Sequence, residues 1–529
     1  MPRLARLLSI SAAFTALLAL PSAPALASSS QQAIFEDDSA MLNNPGGTLQ
    51  ILGQLGVTRV RLLVHWDSIA PAAGSHHAPA NFDGSNPAAY PAANWAPYDG
   101  VVRAAQADGI ALDFTLTGPA PVWATGPGFP SNTSSLTSPG IWEPSAREFG
   151  RFVAAIGRRY SGAYKPRAQT TLPRVSFWSI WNEPNYGYDL APQATSDSRT
   201  ELAPAMYRSL LGAAWSSLVA TGHGPATDTI LIGETAPRGL TVIGNFSGIK
   251  PLRFLRALYC VDSHYRALRG AAAAARACPT TAAASRLFAA QNPALFHASG
   301  FADHPYEQGV APNTPTIGPD DPTNWTTDPD YADLPEVPRL GRTLDRLQRV
   351  FGSRTRLAIW NTEYGYRTRP PDPHAKINQA TAAYYMNWAE YLSWRQRRLV
   401  SYSQYLLYDP ATRFFASGLL SPAGRPKATF DAYRMPLFLP VTFARRGRRL
   451  EVWGCVRPAH VYAGAQAVAI QFQAKVHGPF RTIATITITN PRGYFDAREH
   501  FPGSGAVRLA WRYPSGRTIH SRVVGITLR

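Results

Sequence analysis

The feature that most constrains this chain is an alternation. Between Ala33 and about Leu407, short runs of β-forming apolar residues take turns with longer stretches whose apolar positions recur at helical spacing. That is the pattern of a parallel α/β fold. The short runs fall at Ala33–Phe35, Arg59–Val64, Ala111–Leu116, Val175–Trp181, Thr229–Gly233, Gly300–Ala302, Leu357–Trp360 and Leu399 to about Leu407. Eight alternations over roughly 400 residues predict a (β/α)8 barrel enlarged by loop insertions. A doubly wound open sheet is the rival topology. It usually carries a glycine-rich phosphate turn after the first strand, where this chain has Glu36-Asp37-Asp38-Ser39. The barrel is therefore preferred.

From about Pro436 the pattern changes. Alternating runs such as Ala467–Phe472 and Thr482–Thr487 are separated by Gly/Pro turns, and helical periodicity stops. Residues 436–529 read as a small antiparallel β-sandwich, and residues 28–435 as the barrel. A chain of 529 residues also exceeds the size at which one core stops growing. At the start, Arg3 and Arg6 precede an apolar run from Leu7 to Leu20, then Pro21, Pro24 and Ala25-Leu26-Ala27. This describes a secretory signal peptide over residues 1–27. Ser11, Thr15 and Pro21 interrupt the run, which argues against a membrane anchor. The expectation is an exported protein with no stable membrane attachment.

The net charge is +18. The basic residues are mostly arginine and scattered, with no dense run interleaved with aromatics to track a phosphate backbone. Nucleic acid is thus not the expected partner, whereas acidic glycans or an anionic surface are compatible with the charge. Of three cysteines, Cys260 and Cys278 lie close together in one Ala-rich insertion and are expected to pair, since export permits oxidation. Cys455 is expected to be a buried free thiol. No CxxC, HxH or HExxH spacing points to a metal, and no cofactor is implied.

In barrels the reactive groups sit at the carboxyl ends of strands. The fourth run ends Trp181-Asn182-Glu183-Pro184-Asn185, and the seventh continues Asn361-Thr362-Glu363-Tyr364-Gly365. Each places a carboxylate among aromatics at one barrel mouth. Glycosidic bond cleavage uses such a pair, one acid protonating the leaving oxygen while the other attacks the anomeric carbon or activates water. A strand-end Glu alone is commonly a salt-bridge partner, and Glu234 after the fifth run is the decoy to weigh. Asp37 and Asp38 read as sugar-binding or structural. Tryptophans 66, 123, 178 and 181 either stack on sugar rings or fill the barrel, with Trp123 the best platform and Trp178 packing.

These two strings resemble the strand-four and strand-seven motifs of glycoside hydrolase clan A, nearest to family 5 and family 39 barrels, in matching order along the barrel. The resemblance implies that Glu183 is acid/base, that Glu363 is nucleophile, and that Asn182 bonds the sugar 2-hydroxyl. It also matches Arg61 to an arginine near the end of strand two, and His304-Pro305-Tyr306 to a His-x-Tyr on strand six, with Tyr306 donating to Glu363. Two positions depart from the pattern. Thr115-Leu116-Thr117-Gly118 stands where family 5 members usually carry a histidine, and Tyr402-Ser403-Gln404-Tyr405 where a tryptophan is expected. The substrate-binding set is then Arg61, Trp66, Trp123, Asn182, His304, Tyr306 and Tyr405. The implied activity is hydrolysis of a β-linked oligo- or polysaccharide through a covalent intermediate. A transglycosylase on the same glutamates and a non-catalytic glycan-binding barrel are the alternatives.

Overall fold

A computed structural model describes residues 31–130, 137–167, 169–307, 309–315, 328–459, 466–513 and 515–529. The expected signal peptide lies outside them. Eight strands run β1 (Gln32–Glu36), β2 (Arg59–His65), β3 (Ala111–Thr117), β4 (Phe177–Ile180), β5 (Thr229–Thr235), β6 (Gly300–Asp303), β7 (Ala358–Asn361) and β8 (Ser401–Tyr405). They pair in parallel in chain order, with β8 beside β1. A parallel bridge between Ile359 and Leu399, and the Val400 N–H donating to the Ile359 carbonyl, close β7 onto β8. The sheet is a barrel, and the open-sheet topology is excluded.

Side-chain alternation explains why these runs close. On β2, Val60, Leu62 and Val64 are fully buried toward the helices, while Arg59, Arg61, Leu63 and His65 take the opposite face. The floor of the barrel is apolar, built from Ile34, Phe177, Leu231, Ala302 and Trp360. Above it the lumen turns polar, with Arg61, Asp113 and Glu234 all fully buried. The surrounding helices begin where their sequence caps them. Ser145 accepts from Glu148 N–H to start Ala146–Arg159, and Asn378 accepts from Thr381 N–H to start Gln379–Arg395. The insertion after β5 is tied by a disulfide between Cys260 and Cys278, while Cys455 is buried and free.

A second apolar cluster gathers residues from Met435 to Leu528. Its strands are β9 (Leu437–Phe438), β10 (Phe443–Ala444), β11 (Leu450–Cys455), β12 (Gln466–Gln473), β13 (Arg481–Ile488), β14 (Tyr494–Glu499), β15 (Gly505–Arg512), β16 (Thr518–His520) and β17 (Val524–Leu528). One sheet is ordered β10-β17-β15-β12-β13, with β16 on β15, and the other β14-β11-β9. The antiparallel expectation needs one amendment, because β10 pairs with β17 in parallel. This unit rests against the helix Gln379–Arg395 and the strand-entry end of the barrel. Trp388 stacks on Phe438, Arg457 pairs with the buried Glu390, and Tyr494 OH donates to Glu390 while accepting from Gln31 just before β1. The pole opposite the strand ends is thereby covered.

Candidate active site

Glu36, Thr117, Glu183, Glu234, His304, Glu363 and Tyr405 all sit at or just beyond the carboxyl ends of their strands. The element that gathers them is Arg61. It lies third in β2, deeper than the strand end expected for it, directly across from Glu36 and Asp113. From there its guanidinium meets Glu36, donates to Glu363 Oε2 at 3.0 Å and to Asn182 Oδ1 at 2.7 Å, and stands 3.1 Å from Glu234 Oε2.

His304 is the second hub. Its Nδ1 donates to Glu183 Oε1 at 2.9 Å and lies 3.5 Å from Glu363 Oε2, while Nε2 donates to Glu234 Oε2 at 2.8 Å. Tyr306 OH donates to the other oxygen of Glu363, at 2.8 Å. Both oxygens of Glu363 are therefore held, and its orientation is fixed before any ligand arrives.

Four glutamates converge here, and exposure separates their roles. Glu234 has no exposed side-chain surface and Glu36 only 3%, whereas Glu183 keeps 18% and Glu363 14%. Only the latter two line the cavity above. Glu234, the decoy, is a buried counter-ion that accepts from His304 and from Thr362 Oγ1 at 2.7 Å. Burial alone would raise its carboxyl, but the Arg61 guanidinium and the His304 hydrogen bond bring it down to about 2. Burial opposes the His304 charge in turn, yet the Glu363 carboxylate and the hydrogen bonds to Glu183 and Glu234 hold the imidazole well above its usual range. Two buried cations among four carboxyl groups leave the cluster with spare negative charge, an arrangement that favours a retained proton.

The local backbone is shaped for this. Trp181, Glu183 and Glu234 all have positive φ, at 68°, 36° and 48°. Each such residue costs on the order of 1–3 kcal/mol and persists only where its surroundings enforce it. Trp181 N–H donates to the Leu116 carbonyl and Glu183 N–H to the Glu234 carbonyl. Asn185, the second asparagine of the motif, is a staple: its amide donates to the carbonyls of Ala236 and Ile249 and accepts from Ala236 N–H. Asn182 has both ends of its amide engaged, since Nδ2 donates to Asp189 at 3.0 Å. Burial first, and the Glu183 charge next, push the Asp189 carboxyl well above its usual range.

Two cavities meet at Glu363. One, of about 380 Å³, is lined by Glu183, Tyr186, Tyr306 and Phe415 among others. The second, of about 470 Å³, is lined by Asp38, Tyr405, Phe414 and Phe415. Such volumes suit a sugar unit apiece.

The structure thus brings Glu183, Glu363, Arg61, Asn182, His304, Tyr306 and Tyr405 to one mouth. It does not bring Trp66 or Trp123. Trp66 has no exposed surface and stacks on Phe152. Trp123 donates to the Pro71 carbonyl and packs edge-on against Trp66 and Phe82. Trp66, just after β2, is buried against Phe149 and Phe152 of the helix Ala146–Arg159, and the half-buried Trp123 packs onto that cluster. Among the described aromatics that line the two cavities, Tyr186 and Phe414 are the most exposed, at 37% and 62%. Sequence reading missed these, as well as Glu36. Glu36 was recoverable by the rule applied elsewhere, being the first carboxylate after an apolar run. Asp37 is structural, capping Ala40 N–H and accepting from Leu407 and Tyr408 N–H.

No protein-family model and no curated protein matches this chain. Among solved structures it is similar to an exo-β-1,4-mannosidase from Opitutaceae bacterium strain TAV5, at 15% identity and TM-score 0.39, covering 76% of this chain and 58% of that one. A broad-specificity GH5-4 endoglucanase from Clostridium acetobutylicum aligns at 12% identity and TM-score 0.41, covering 77% and 98%. A family 1 β-glucosidase from Thermotoga maritima aligns at 13% and 0.40, covering 72% and 81%. The chain spans less than two thirds of the mannosidase it matches.

Proposed function

We propose that this protein is a retaining glycoside hydrolase acting on a β-linked oligo- or polysaccharide. The observation that carries the reading is the shared contact of Glu183 and Glu363 with His304 Nδ1. It keeps the two nearest oxygens no farther apart than the sum of those contacts, about 6.4 Å. That ceiling accommodates the roughly 5–5.5 Å between the carboxyl groups of a retaining pair.

Glu363 has the features of a nucleophile. Tyr306 and Arg61 each donate to a different oxygen of its carboxyl group, which fixes its orientation. It attacks the anomeric carbon and forms a glycosyl ester as the glycosidic C–O bond breaks. Glu183, on the other wall, gives its proton to the departing oxygen. In the second half, Glu183 takes a proton from water, the resulting hydroxyl adds to the anomeric carbon, and the Glu363 ester bond breaks. Arg61 and His304 offset the charge that returns to the glutamates at each step.

The test uses aryl β-glycosides. Glu363→Ala is expected to abolish turnover, and added azide to restore it with formation of an inverted glycosyl azide. Glu183→Ala is expected to lose roughly 10²–10⁴-fold on poor leaving groups and far less on nitrophenolates, which need no proton. Near-normal turnover by either variant on a natural oligosaccharide would sink that assignment.

Export is the further part of the reading. The residues read as a leader and the Cys260–Cys278 disulfide support it. N-terminal sequencing of protein recovered from the medium is expected to begin at Ser28.

A further inference from the structure

The two cavities at Glu363 are not equivalent. Glu183 lines only the first of them. In a double displacement the acid stands beside the departing oxygen, so the Glu183 cavity receives the leaving-group sugar and the Tyr405 cavity the other side of the bond.

The wall of the leaving-group cavity is cationic. Arg238 follows β5, and Arg367 and Lys376 follow β7, all lining the space. The only carboxylates lining it among the described residues are Glu183 and Glu363. Two fully buried acids lie beneath the arginines and aim them. Arg238 donates to Asp333 at 2.8 and 3.2 Å, and Arg367 to both oxygens of Asp372 at 2.7 and 3.0 Å. The guanidiniums themselves stay partly open, at 21% and 27% exposure.

Lys376 is different. It is exposed and forms no ion pair among the described residues. Its stem lies across Gly309, where φ is +85° and an added Cβ would stand 3.2 Å from Lys376 Cβ. The missing side chain leaves a track along which the lysine reaches the cavity. A lone surface lysine would mean nothing. Here it shares the wall of the candidate site with two arginines already anchored from below.

We propose that the leaving-group side of the cleft takes an acidic sugar, a hexuronic acid whose carboxylate is met by Lys376 and Arg367. The inference rests on the glycosidase reading. Its chemistry is charge pairing at a partly desolvated wall, which gives specificity at modest cost when the cations are held in place.

The experiment is calorimetric titration of the full-length Glu363→Gln variant with β-1,4-linked glucuronate and mannuronate tetrasaccharides and their carboxyl-reduced counterparts. At least one acid is expected to bind about ten-fold more tightly than its reduced form, with the preference largely lost in about 0.5 M salt. Adding Lys376→Glu is expected to erase most of that preference while the melting temperature stays unchanged. Equal affinities, no binding of either acid, or a preference unmoved by Lys376→Glu overturns the proposal. Aryl β-glycoside turnover by the wild type is scored separately. Turnover with equal affinities removes the acidic-sugar proposal alone. No turnover beside a preserved acid preference removes the hydrolase and leaves an anion-binding cleft.

Discussion

His304 donates from Nε2 to Glu234 at 2.8 Å, and neither side chain has any exposed surface. The pair is the charged floor of the cleft, and its two members titrate in opposite directions. The folded imidazole lies well above its ordinary 6.5, so its contribution to stability is complete below that value and fades as pH rises through the raised one. The Glu234 carboxyl falls from 4.5 to about 2, so its contribution is complete above 4.5 and fades as pH falls toward 2. Thermal melts between pH 2 and 10 are expected to show Glu234→Gln flattening the acid limb and His304→Gln the alkaline one. Identical limbs in wild type and variants would contradict the charge assignment.

Tyr186 and Trp123 exchange the roles that residue type suggests. Tyr186 faces the cleft, and Trp123 packs on Trp66. Tyr186→Ala is expected to lower kcat/KM several-fold, corresponding to about 0.5–1.5 kcal/mol of aromatic contact, without changing the melting temperature. Trp123→Ala is expected to cost about 2–3 kcal/mol of stability and to leave kcat/KM of the folded enzyme near wild type. Steady-state kinetics beside denaturant titration separates the two.

The Cys260–Cys278 disulfide closes a loop of sequence separation 18 within the insertion after β5, and neither cysteine lines a cavity at the mouth. Cross-linking a loop of that size stabilises by about 3 kcal/mol. The double Cys→Ser variant is expected to melt lower while retaining its kcat at 25 °C. A drop in kcat without a drop in melting temperature would tie the insertion to the cleft.

Arg457 and Glu390 form a buried ion pair where the β-sandwich meets the barrel. Removing one partner of such a pair strands the other charge, at about 3–5 kcal/mol. Arg457→Met is expected to destabilise by that order. Adding Glu390→Leu is expected to recover part of the loss, a non-additivity readable in a double-mutant cycle.

The meeting of Glu183 and Glu363 at one mouth was legible because its signal is local. Trp181 to Asn185 and Thr362 to Gly365 carry their chemistry within a few residues, at the ends of runs whose apolar character marks buried strands. Glu234 was legible as a carboxylate but not as a buried counter-ion, because its role depends on which residues of β2, β6 and β7 face it across the lumen. The depth of Arg61 is of the same kind: register decides it, and composition does not. Tryptophan is the best sugar platform by residue type, yet Trp66 packs on Phe149 and Phe152, some 80 residues on, and Trp123 packs on Trp66 and Phe82. Lys376 carries no local signal at all. Its place at the wall follows from a glycine in another loop.

The β-sandwich reaches back to the first strand. Tyr494 holds Gln31 across a separation of 463 residues, and β1 gains its neighbour β8 only at Ser401–Tyr405. During synthesis β1 emerges early, with one edge unpaired until some 370 further residues have been made. The ring cannot shut before Ser401–Tyr405 has been made, and the brace from Tyr494 follows later still. A polypeptide that stops short of β8 therefore has an exposed edge strand, and the candidate site, which draws on both Glu36 and Tyr405, is not assembled.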